Sequence, residues 1–132
     1  MIPARLRKIV ALPEEYARRD RSTGCLLQDM GFPEARGLLK TEDVAQILKE
    51  EPRLAPLWIR RGKDQRYAGG WGIECLSGLS RVVSYGDGRT GAWEKDQSKA
   101  VAEFIVRYLG FIGDVQMRSA RRRAARAQAT LH

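Results

Sequence analysis

The chain reads as an α+β domain: N-terminal helices, then a three-stranded antiparallel meander, then a packing helix, in the order β-β-β-α. Three observations predict it. Apolar residues recur at helical spacing before residue 60 and again after residue 100, whereas from Trp71 the period changes to two. Ser77-Gly78 and Gly86-Asp87-Gly88 interrupt that alternating stretch as turns. A length of 132 residues suits one core, and an apolar fraction of 43% with 30% charged residues lies outside the regime of disorder.

Ile2, Leu6, Ile9, Val10 and Leu12 enrich the first twelve residues in apolar side chains. Pro13-Glu14-Glu15 then has the form of a helix start, since proline fits the first turn and carboxylates suit the positive end of the dipole; a short helix is expected near 13–20. Ser22 is placed to cap a second segment carrying Cys25, Leu26, Leu27 and Met30, and Gly31 to close it in the left-handed conformation. The clearest early helix takes Thr41 as N-cap and Glu42 and Asp43 in its first turn. Its apolar face is Val44, Ile47 and Leu48, and Pro52 stops it. Leu54, Leu57, Trp58 and Ile59 return the chain to the core before a polar run from Arg60 to Arg66, read as a loop. Trp71, Ile73 and Cys75 share one face of the first strand; Ser80–Tyr85 and Thr90–Glu94 are the second and third. Asp96 or Ser98 caps the last helix, whose Val101, Phe104, Ile105, Tyr108, Leu109 and Ile112 form the strongest apolar stripe in the chain. Residues 1–117 are therefore expected to be one domain, followed by a mobile basic tail over 118–132.

Charge and residue inventory restrict the function classes. The net charge of +8 is uneven, because Arg118, Arg121, Arg122, Arg123 and Arg126 fall after Met117 with no acidic residue among them, leaving +3 for residues 1–117. Those five arginines, with Arg5, Arg7 and Lys8, are the candidate contacts for nucleic acid. The one histidine, His132, is the last residue, which leaves no place for a histidine base, a Ser-His-Asp relay or a histidine metal site. Cys25 and Cys75 lack the paired spacing of a thiolate metal site and read as buried thiols. No cofactor, no metal and no catalytic residue is expected. Glu74, Asp87, Glu94 and Asp96 are the only carboxylates that the meander would bring together, and strand edges and turns carry such residues routinely. The glycine clusters lack the lysine and Ser/Thr spacing of a phosphate loop. No apolar run reaches the roughly 20 residues that cross a bilayer, so a cytoplasmic protein without membrane contact is expected.

The candidate partner-binding residues are Arg60, Arg61, Lys63, Asp64, Arg66, Tyr67 and Trp71. Arginine, tyrosine and tryptophan anchor protein interfaces because each offers a large, fairly rigid contact area with a polar handle. The same residues also admit a scaffold reading, with Asp64 paired to Arg66 or Arg61 and Trp58 and Trp71 filling core. Trp71 and Trp93, if exposed as a pair, would themselves mark a binding site.

The order Leu57-Trp58-Ile59, then Gly62 to Gly72 with Gly69-Gly70-Trp71-Gly72 at its end, then a hairpin, then Lys99 to Arg107 with Phe104-Ile105, resembles a group of small bacterial proteins. Some of these look like immunity proteins of contact-dependent or secreted toxin systems. The resemblance spans roughly residues 41–112 and implies an α+β protein, not an enzyme, that binds and neutralises a cognate toxin.

Overall fold

The structure, a computed structural model, describes residues 2–16, 23–32, 34–63 and 70–130. Helix α1 (Ala4–Val10) turns Leu6, Ile9 and Val10 inward at spacings of three and one, and α2 (Leu12–Tyr16) places Glu14 and Glu15 in its first turn, as carboxylates at a helix start favour. Helix α3 (Thr23–Asp29) ends in a Schellman closure: Phe32 N–H donates to Leu27 O at 2.9 Å, Gly31 N–H donates to Gln28 O at 3.0 Å, and Gly31 takes φ +88°. Ser22, the expected cap of this helix, lies outside the described residues. A 3-10 turn over Glu34–Leu38 follows.

Helix α4 (Thr41–Glu50) buries Val44, Ile47 and Leu48, but its N-cap is Lys40, with no side-chain hydrogen bond, and Thr41 is its first helical residue. Helix α5 (Leu54–Lys63) corrects a larger expectation. The stretch read as a loop from Arg60 is helical through Lys63, because the buried stripe of Leu54, Ala55 and Trp58 continues to Gly62, and the basic residues Arg60, Arg61 and Lys63 suit the negative end of the helix dipole.

Trp58 is the centre of the core. It is fully buried, its Nε1 donates to Val10 O at 2.7 Å, and its ring stands edge-on to Phe104 and Tyr108 with centroids 6.4 Å away in each case. Both of those partners come from α6 (Gln97–Thr130), which packs against α4, α5 and the hairpin and organises the fold around itself. Its cap is Asp96, whose Oδ1 accepts the Ser98 amide at 3.0 Å. Burial along α6 runs from Ala100 to Gly113 and then stops, yet the helix continues to Thr130. Residues 118–130 of the expected tail are therefore helical.

The three-stranded meander does not form. The sheet has two strands, β1 (Trp71–Leu76) and β2 (Leu79–Ser84), paired antiparallel from Trp71↔Ser84 to Leu76↔Leu79. Their two-residue turn gives Ser77 φ 51° and Gly78 φ 78°, the sign pair of the turn type that matches strand twist. The expected third strand, Thr90–Glu94, meets β2 only at isolated bridges, Ser80↔Glu94 and Val83↔Thr90. Between those bridges β2 advances three residues and its neighbour four, so one residue has no counterpart and the ladder is broken, with Gly91-Ala92, weak strand formers, at the break. Among the described residues the molecule is α+β but mostly helical, with one hairpin.

Cys25 and Cys75, expected to be buried, are exposed, and no disulfide joins them. Cys75 lies in the last two residues of β1, where burial gives way to exposure. Among the described residues no helix is long and apolar enough to cross a membrane.

Candidate protein-binding face

The residues singled out in the sequence do not converge on one loop. Arg60 and Lys63 are exposed and Arg61 half-buried on the last turn of α5, while Asp64, Arg66 and Tyr67 lie outside the described residues. Gly62 between them faces inward: an added Cβ would stand 3.1 Å from two atoms of the Phe104 ring and 3.4 Å from Ile73 Cγ2. Trp71 is half-buried at the edge of the core, with the Arg107 guanidinium carbon 5.7 Å from its ring centroid. It faces a groove of about 680 Å³ along α6 with Glu103, Arg107 and Phe111, whereas Lys63 borders a different concavity on the hairpin. Trp71 and Lys63 are thereby assigned to separate surfaces.

The hairpin concavity gathers what the sequence reading missed. Pairing of Ile73 with Val82 turns those two side chains onto the core, so the alternation sends Glu74, Leu76, Arg81 and Tyr85 to the outer face. Leu76 is 65% exposed, Tyr85 49% and Trp93 38%, and the three line one concavity of about 520 Å³ with Lys63, Glu74 and Arg81. Trp93 is thus a surface residue. Arg81 is held from two sides: its Nε and Nη2 donate to Glu74 Oε2 at 3.1 and 2.9 Å, and its guanidinium carbon sits 4.3 Å above the Trp93 ring. Tyr85 lies across Gly72, where an added Cβ would fall inside the tyrosine ring's contact radius; glycine at 72 is what lets the ring lie flat on the strand. A rigid arginine between an exposed tryptophan, tyrosine and leucine is a surface of interface composition. The available sequence signal was the parity of β1, where Ile73 inward sends Glu74 and Leu76 out; in β2 the adjacent Val82 and Val83 are both buried, so alternation alone does not mark Arg81 and Tyr85.

The four carboxylates that a meander would have brought together sit in separate ion pairs. Glu74 pairs with Arg81 at 2.9 Å, Asp87 with Arg89 at 3.5 Å, Glu94 with Lys99 at 3.4 Å and Asp96 with Lys49 at 3.2 Å. The backbone amide of Arg89 and the Ser84 hydroxyl hold the Asp87 carboxyl below its usual range, as turn carboxylates do. Among the described residues no group of three or more histidine, cysteine, aspartate and glutamate side chains is arranged to hold a metal ion.

The five tail arginines lie on the exposed end of α6, with no acidic residue after Asp114, whose backbone oxygen accepts Arg118 Nε at 3.4 Å. Comparison with known proteins gives no name to these surfaces: no family model, no curated protein and no solved structure matches this chain.

Proposed function

We propose that this protein is a non-catalytic binding module that docks a protein partner on the outer face of its hairpin, and that the partner is a toxin which it neutralises in the cytoplasm of the cell that makes both. The observation that carries the proposal is the cluster of Leu76, Tyr85 and Trp93, exposed together around Arg81. Large apolar side chains exposed singly are ordinary, but three around one concavity with a fixed arginine form a desolvatable anchor with a polar rim. The immunity reading adds the resemblance of the Trp58, Gly62, Trp71 and Phe104-Ile105 pattern. In this fold those residues build or border the core, so they support the kinship of the scaffold, and the hairpin face supplies the contact.

The test uses the full chain immobilised against the secreted and cell-surface proteins of its own cell, with a Tyr85→Ala/Trp93→Ala variant beside it. Loss of two interface anchors at about 2 kcal/mol each lowers affinity by roughly three orders of magnitude. Retention of a protein whose growth-inhibiting activity is cancelled by the wild-type chain and not by the variant is the expected outcome. Equal capture by both chains would move the interface off the hairpin, and a captured protein without toxicity would leave the binding module and remove the immunity role.

A further inference from the structure

The end of α6 has no packing role. Arg36 Nη1 reaches from the 3-10 turn to Asp114 Oδ1 at 2.5 Å and to Met117 Sδ at 3.8 Å, and Gly113 is the last buried residue. From Ala120 to Thr130 every residue is exposed. At 1.5 Å per residue, the thirteen residues from Arg118 to Thr130 extend about 20 Å beyond this clamp.

The composition of this overhang states what it can meet. Its residues other than arginine are serine, alanine, glutamine and threonine, so it offers no large apolar side chain to a core, a bilayer interior or a coiled-coil seam. A second copy of the chain would bring two sets of five arginines together. Arg118, Arg122 and Arg126 repeat at intervals of four and form one ridge, with Arg121 one turn from Arg118; at about 100° per residue these four occupy an arc of about 140°. Alanines 120, 124 and 127 lie on the opposite side and keep the helix slender. Like charges stacked at this spacing repel in the free protein and draw counterions, which a surface of dense negative charge displaces on binding.

We propose that the α6 overhang is a phosphate-binding helix that lies in the major groove of duplex DNA and holds it without reading sequence, independently of the hairpin face. A helix with small side chains on one side is about 10 Å across and the B-form major groove is about 12 Å wide; with the arginine ridge turned toward the duplex, Arg121 and Arg123, about 100° to either side of Arg122, reach the phosphates of both groove walls.

The experiment measures binding of the full chain to a fluorescent 20-base-pair DNA duplex of arbitrary sequence at several salt concentrations. Two variants accompany it: all five of Arg118, Arg121, Arg122, Arg123 and Arg126 changed to alanine, and the same five changed to lysine. If five phosphates are neutralised, log affinity falls against log salt with a slope of about −4.5, or roughly 500-fold between 50 and 200 mM. The alanine variant is expected to lose about 100-fold or more in affinity at the lower salt and most of the slope, while the lysine variant keeps the slope. Unaltered core folding is checked by thermal melting. An alanine variant that retains wild-type affinity and slope would overturn the proposal, and so would equal affinity for poly-glutamate or for vesicles rich in anionic lipid at matched charge.

Discussion

Gly62 and Gly110 are both helical glycines, and their surroundings assign them opposite roles. Alanine normally improves on glycine in a helix by up to about 1 kcal/mol because it restricts the unfolded chain. At Gly110 an added methyl meets nothing within 4 Å, so Gly110→Ala is expected to raise stability by about that amount. At Gly62 the same methyl presses on a fully buried Phe104 ring, itself confined by Trp58 and Tyr108, and overpacking of this kind costs about 1–3 kcal/mol. Gly62→Ala is therefore expected to lower stability, and denaturant melts of the pair should move in opposite directions. Glycine 62 stood out in the sequence as part of a charged loop; its packing role was not legible there, because nothing local announces the ring that α6 lays against it. Trp58, Phe104 and Tyr108 were legible, since large apolar residues at helical spacing have few places to go but inward.

At the scale of elements, the cap of α6 bears the most. Asp96 accepts the Ser98 amide and pairs with Lys49 of α4, so one carboxylate both starts the central helix and ties it to its neighbour. Asp96→Ala is expected to lower stability by about 1 kcal/mol, read as a shift in denaturant midpoint at unchanged slope. Asp96→Asn retains most of the cap. The start of α6 was legible from that aspartate and the apolar stripe after it. Its end was not, because past Ile112 the helix has only intrinsic propensity to mark it, and propensity without a stripe looks the same as a disordered basic tail. The false third strand has the complementary cause: alternation and turns locate Thr90–Glu94 beside β2, but the extra residue that breaks the ladder shows only when the register is counted from both ends.

For the molecule as a whole, acid is the informative perturbation. Glu50 sits below the usual carboxylate range through its hydrogen bonds to Arg7 and Gln46. At Asp96 desolvation is the largest single influence and acts upward, but the hydrogen bond and charge of Lys49 and the amides of Lys99 and Ser98 together outweigh it, so this carboxyl too is lowered. A carboxyl whose folded value is depressed contributes stability above its unfolded value and loses it as pH falls through the folded one. The thermal midpoint is thus expected to be level near neutrality, to begin falling below about pH 5 and to continue falling through the range beneath the ordinary carboxylate values. The fall should be shallower in a Glu50→Gln variant. An equally steep fall would mean that the Arg7–Glu50 pair, which joins the first helix to α4, adds nothing to acid sensitivity. The α+β class and the helices that flank the hairpin were readable in the sequence, while the binding face was not, because it is defined by which side of the hairpin α6 leaves uncovered.

The clamp between Arg36 and Asp114 has one more consequence, for how the protein is cut. A protease specific for arginine meets four of its bonds from Arg121 to Arg126, on a helix end where every residue is exposed. Cleavage after Arg118 would remove four arginines and halve the net charge of +8 without touching Trp58 or the hairpin. Half of the molecule's excess positive charge is carried on a segment that a single proteolytic event can detach.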